Sequence, residues 1–341
     1  VGGIGIRRSH DVLSQNAVIS FDEASRDMSY MSLFVEDLAR LAGDRVQLTF
    51  GAKIERAPFS GSAVEPSARL LWKATGKQSL WAAISRAVRT PSRAEIDVRF
   101  NTSVVPGGPA PPIEVSVFGN STLDAESVVA YELGYRFAPT PRVTLDLATF
   151  YDKYADLSAL EQGTPFLETT PAPVHVVLPL TFSNAMHGES YGAELAASFR
   201  ATERWQLMGW YARNNVAIRP NDPTATVTPY TPSDTTPLTQ YQLRSYLDLP
   251  GNFALDASVT HVDHLGVRSP GGPASAPTPP NFAPAYARFD VWLVWHHGQQ
   301  FEAGFGAQDL LDGRHPEFAK SGWVNPTEVE RIFSLRLTWR P

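Results

Sequence analysis

The sequence contains no cysteine, which removes disulfides, thiolate metal sites and cysteine nucleophiles together and leaves any chemistry to His, Ser and carboxylates. The eight His are thinly scattered. Charge is also sparse: 19% of residues are charged, the net charge is -6, and no Lys/Arg block stands out, so nucleic acid is excluded as a partner. No apolar run approaches the ~18 to 20 residues of a membrane helix, and the mean hydropathy is -0.19. That excludes spanning helices only. A membrane barrel carries its lipid face as every second residue, so its mean hydropathy stays near that of a soluble protein. No basic, apolar leader begins at Val1, and the first residue is not Met, which predicts a mature or truncated chain. What the chain has in quantity is Pro (28) and Gly (24) within 43% hydrophobic residues. This composition argues against coiled coils and disordered tails and for a β-rich, loop-rich protein. The 341 residues fit two ordinary domains or one large barrel.

Strict alternation is the dominant pattern. Phe333, Leu335, Leu337 and Trp339 share one face, opposite Ser334, Arg336, Thr338 and Arg340; the one exception is the pair Arg331 and Ile332, which is out of phase. Ala287, Phe289, Val291, Leu293 and Trp295 oppose Arg288, Asp290 and His296, and Tyr191, Ala193, Leu195, Ala197 and Phe199 oppose Ser190, Glu194, Ser198 and Arg200. The same period runs through 46–55, 129–137 and 240–249. Each segment reads as a strand with one apolar and one polar face.

Connections alternate between short and long. Short turns fall at 42–44, 75–77, 138–141, 201–203, 250–251 and 297–298, and long links rich in Pro, Gly, Ser and Thr at 14–28, 90–124, 158–187, 217–237, 266–284 and 312–326. Loops of that length are uncommon in a compact soluble domain, whereas short turns on one rim and long loops on the other are the pattern of outer-membrane barrels. Phe137, Phe199, Trp205, Phe253, Trp295, Phe301 and Trp339 sit near the short turns or the C-terminus, where an aromatic girdle belongs. The expected fold class is therefore all-β: a transmembrane, antiparallel, up-and-down β-barrel of about 14 strands, with residues 1–341 as one barrel domain.

Five segments carry a family resemblance: LWAAISRAVRTPSRAE (80–95), NSTLDAESVVAYELGYR (120–136), ATFYDKYADL (148–157), SYGAEL (190–195) and AQDLLDGRHPEF (307–318). In that order they resemble the barrel of TonB-dependent outer-membrane receptors. The resemblance implies the C-terminal part of a barrel of about 22 strands, with the family's plug domain and TonB box not recognisable in this sequence. It also implies residence in the bacterial outer membrane, contact with outer-membrane lipid, and energy-coupled uptake of a scarce small ligand such as a siderophore, cobalamin, sugar or peptide. Coupling to the TonB complex would run through the plug. The alternative is a passive, porin-like channel in which about 14 strands close directly.

Arg89, Arg93 and Arg99 fall at the outer end of a strand and in the long loop after it, where a ligand would first arrive, and are the candidate ligand-binding residues. Gly188-Glu189-Ser190-Tyr191-Gly192 matches a nucleophile elbow, but that motif needs a strand, a sharp turn and a helix, and the residues after it alternate as a strand. His261 and Asp263 share a strand face that His264 does not, so the three cannot converge on a metal. Acids such as Glu302, Glu328 and Glu330 near Arg336 and Arg340 suit a charge-balanced lumen. The expectation is a transporter that is not an enzyme, with no catalytic residue, metal or cofactor.

Overall fold

In the computed structural model, alternation becomes fourteen long strands: β1 (Gly2–Val12), β2 (Ser25–Leu41), β3 (Val46–Ala57), β4 (Gly61–Thr75), β5 (Gln78–Arg89), β6 (Glu126–Thr140), β7 (Val143–Gln162), β8 (His175–Thr202), β9 (Trp205–Pro220), β10 (Thr239–Leu249), β11 (Phe253–Val262), β12 (Tyr286–His297), β13 (Phe301–Gln308) and β14 (Ile332–Trp339). The structure describes residues 1–229, 236–266, 282–318 and 327–340. Each long strand pairs antiparallel with the next in sequence. Among the described residues, β1 pairs only with β2, and β14 only with β13. The middles of the last three long loops lie outside the described residues.

Register places the apolar residues of neighbouring strands side by side. One such row runs Leu147, Leu195, Tyr211, Tyr241, and another Leu243, Val259, Phe289. Near the short turns Phe253 pairs with Trp295 and Phe301 with Trp339, so the aromatic girdle is continuous across these strands. This apolar face is open: Leu335 is 72% exposed and Leu337 63%. A surface of that extent is tolerated only against a partner or lipid. No described helix is long and apolar enough to cross a membrane, and the strands carry the apolar face instead.

The opposite face is polar and charge-paired. Arg136 meets Asp146 at 2.8 Å, Arg244 meets Asp256, and Arg336 Nη2 meets Glu302 at 2.9 Å. Large rings on this face lie over glycines across the ladder. Phe34 covers Gly3, Trp81 covers Gly134, Phe150 covers Gly192 and Trp292 covers Gly306, and a Cβ added at any of the four would overlap the ring. The glycines are there for close approach, so that a bulky ring adds little thickness to the wall.

Buried apolar clusters lie at the long-loop end of the strands. Ile96, Val98, Val117, Leu123 and Phe182 form one, flanked by Ile19, Phe21, Phe59 and Phe100; Ala159, Met186 and Val227 form another. Full burial of a side chain such as Leu123 is worth about 1.5–3 kcal/mol. The loops therefore build a cap with a water-excluding core of its own. Short strands Ile19–Phe21, Val98–Val105 and Ile113–Phe118 pair in series, and the last runs parallel to residues 176–181 of β8.

Two sequence expectations are adjusted. The segment 158–187 is mostly strand: β7 and β8 stay paired as far as Gln162 with Leu180, and leave a loop of 163–174 that itself holds strand Phe166–Glu168. The out-of-phase Arg331 falls at a break between Glu328–Glu330 and β14, and its guanidinium donates to the carbonyls of Leu310 and Asp312 at 3.2 and 3.3 Å. It is a rim residue, which is why it departs from the alternation.

Candidate functional site

The cap gathers three arginine-centred ion clusters. A five-residue helix, α1 (Arg93–Asp97), sits between the first two. So short a helix has little stability alone. Its capping box supplies some, because the Ser92 amide and hydroxyl both donate to Glu95 Oε2 at 2.8 Å.

Arg89, the last residue of β5, donates to both carboxylate oxygens of Glu126 (2.6 and 2.7 Å), to both of Glu95 (2.7 and 3.1 Å) and to Ser158 Oγ (3.0 Å). One guanidinium thus ties the loop helix to the ends of β6 and β7. Burial pushes the Glu95 carboxyl up, but bonds from Arg89 and Ser92 outweigh it and hold the group below its ordinary value.

Arg93 is nearly buried and bonds Asp11 of β1 and the Glu23 carbonyl, with Asp97 Oδ2 at 3.5 Å. Arg26 reaches the same Asp97 oxygen at 3.2 Å. Burial raises Asp97 despite these two cations. Arg99 forms a two-pronged pair with Glu168 (2.9 and 2.6 Å) and also meets Glu114 (3.0 Å), its guanidinium 5.4 Å from the centre of the Phe118 ring. The Arg99 bond lowers the Glu168 carboxyl, and together with Glu114 it raises Arg99. His175 lies in the same cluster, with Nδ1 2.9 Å from the Pro173 carbonyl and Nε2 3.1 Å from Glu168 Oε2.

The three arginines thus lie in one cap but share no carboxylate, and each already has acidic partners. The arrangement locks loops together and leaves the guanidiniums of Arg89 and Arg99 partly open to solvent.

Comparison with known proteins identifies this architecture. The family model described as "TonB dependent receptor-like, beta-barrel" matches residues 6–310. The chain belongs to the TonB-dependent receptor barrel family. No curated protein matches it. Among solved structures, it is similar to the siderophore receptor PirA from Acinetobacter baumannii (14% identity, TM-score 0.72, covering 94% of this chain and 47% of that one). It is also similar to the ferric enterobactin receptor PfeA from Pseudomonas aeruginosa, as the G324V mutant (18%, 0.68, 93% and 45%), and to the FrpB iron transporter from Neisseria meningitidis, F3-3 variant (13%, 0.70, 99% and 52%). The chain spans about half the length of the receptors it matches, and identities this low carry the fold.

This family sits in the bacterial outer membrane and consists of transporters rather than enzymes. In a TonB-dependent receptor barrel the apolar face described above is the lipid face, the polar face the lumen, and the capped end the rim away from the short turns. Ser190 lies within β8, bonded to Asp152 Oδ2 at 2.8 Å, so the G-x-S-x-G match is a piece of barrel strand. His261 stacks on Tyr241 with ring centres 4.9 Å apart, while Asp263 and His264 pair with each other. Sequence reasoning did not single out Glu95, Glu114, Glu126, Glu168 or His175. Of these only Glu95 left a local signal, the Ser-x-x-Glu box at 92–95; Glu114, Glu126, Glu168 and His175 meet their partners through strand pairing.

Proposed function

We propose that the chain is the membrane-embedded part of a receptor that takes up a scarce small ligand across the outer membrane, with TonB supplying the energy through a plug domain. Residues 1–341 act as one transmembrane unit of a larger barrel. Two sheet edges in lipid would each present a row of backbone groups with no partner, at several kcal/mol apiece, so further strands between β14 and β1 complete the wall. The observation that carries the reading is the contrast between the two ends: tight turns at one, and at the other an ordered cap with its own core. A receptor needs a formed surface where ligand arrives, whereas a passive pore needs only an opening. Arg89, Arg93 and Arg99 serve this surface by fixing its loops, each through acidic partners drawn from other parts of the chain.

The receptors compared above are named for siderophores and iron, so a ferric siderophore is the first ligand to test. In cells deleted for the gene and complemented with it, uptake of radiolabelled iron as ferric enterobactin is expected to saturate and to stop when a protonophore collapses the inner-membrane gradient. Uptake that persists under the protonophore, with continuous conductance of the purified protein in planar bilayers, would instead establish the passive channel.

A further inference from the structure

Within the cap, Glu114, Glu168 and His175 lie on adjacent strands. Glu168 is paired with His175 across one ladder, and Glu114 with Val177 across the next. The backbone therefore fixes their relative positions, and one carboxylate oxygen from each Glu and one imidazole nitrogen lie within 4.8 Å of one another. The His175 side chain is only 8% exposed. Its Nδ1 is 2.9 Å from the Pro173 carbonyl, which can only accept, so Nδ1 carries the proton. The other ring nitrogen, Nε2, faces Glu168 Oε2, 3.1 Å away, and two such acceptors are held together by a cation, either a second proton on the ring or a metal ion.

Arg99 does not supply that cation. Its guanidinium contacts Glu168 and Glu114 but makes no bond to the imidazole among the described residues, and its single positive charge leaves the two carboxylates one negative charge in excess. We propose that His175, Glu168 and Glu114 form a site for a divalent first-row transition metal, with Nε2 and one oxygen from each carboxylate as ligands. Imidazole beside two carboxylates suits zinc or cobalt, whereas calcium and magnesium take oxygen-only shells. The Pro173 carbonyl orients the imidazole and Arg99 orients the carboxylates, the supporting contacts a metal site needs. The site stands apart from the uptake reading, and a metal here would tie strand Phe166–Glu168 and strand Ile113–Phe118 to the start of β8.

The probe is Co2+ alone, titrated into protein purified from outer membranes in detergent and followed by its visible absorption bands. One equivalent is expected to bind, and Zn2+ to displace it. His175→Ala should abolish the equivalent, Glu114→Gln should weaken it at least roughly tenfold, and His264→Ala, at the exposed pair with Asp263, should leave it intact. Heat-modifiable electrophoretic mobility reports whether each variant is folded, and if His175→Ala is not, Glu114→Gln decides. Absence of bound Co2+ in the parent protein would leave a proton as the cation and overturn the proposal, as would undiminished binding in the folded variants.

Discussion

Leu195 and Ala196 are consecutive residues of β8 that face opposite sides of the wall, and an arginine at each separates lipid from lumen with almost nothing else changed. Leu195 lies between Leu147 and Tyr211 on the apolar face. It is four residues from Phe199 in the aromatic girdle, which at ~3.4 Å per residue and ~45° tilt is about 10 Å of depth in a band about 25 Å tall. That is close to the midplane, where a lipid-facing arginine costs ~2–4 kcal/mol, or roughly 30- to 700-fold in the folding equilibrium. Ala196 lies between Asp146 and Trp210. An arginine there meets water, a carboxylate and an indole face, so its cost is about 0–1 kcal/mol. The assay is refolding into lipid vesicles across a urea series, read by heat-modifiable mobility. Leu195→Arg should fold at markedly lower urea than the parent and Ala196→Arg near the parent. Equal midpoints for the two variants would refute the assignment of faces.

Three further outcomes follow from the cap and the lumen wall. Arg89→Met leaves Glu95 and Glu126 without their cation, and with Arg89 itself half-exposed the loss is on the order of 2–3 kcal/mol; it should appear as proteolysis within residues 90–125 while barrel mobility is unchanged, and uniform resistance would argue against the clamp. Because Glu95 is held below its ordinary value, its contribution is full above the unfolded pKa of about 4.3 and is lost as pH falls through the lower folded value; hydrogen exchange over 93–97 should stay protected at pH 5 and open only in stronger acid, and opening between pH 7 and 6 would assign the control elsewhere. Gly134→Ala should cost about 1–3 kcal/mol through overlap with the Trp81 ring, and combining it with Trp81→Ala should recover part of that; strict additivity in the double-mutant cycle would mean that the ring does not need the glycine.

Much of the membrane part was legible because lipid imposes one rule on every second residue. The lipid-facing sets at 46–54, 129–137, 191–199 and 287–295 could be read without knowing any partner strand, since a slip of one residue would put Glu132, Glu194 or Asp290 into lipid. The cap obeys no such rule. Water lies on its outside and a small core inside, so His175, Val176 and Val177 could equally have been loop, and the extension of β7 and β8 through 158–187 was hidden. Arg89, Arg93 and Arg99 could be noticed as cations at the right rim, but their partners were not legible. Glu126 follows Arg89 by 37 residues and Glu168 follows Arg99 by 69, and only pairing across the ladders brings them together.

The same difference explains how the two regions are held. In the wall, a side chain needs only the right polarity for its face, and closely paired strands supply the backbone bonds. Exposed charge pairs there, such as Arg136 with Asp146, add little because the lumen is wet. In the cap, Glu95 is buried beside Arg89 at a position fixed by a one-turn helix, so loss of that cation leaves a desolvated carboxylate, a cost far above that of an exposed pair. Substitutions that alter ligand capture without preventing membrane insertion should therefore concentrate between Arg89 and His175, and the lipid-facing positions of β9 to β14 should show the reverse.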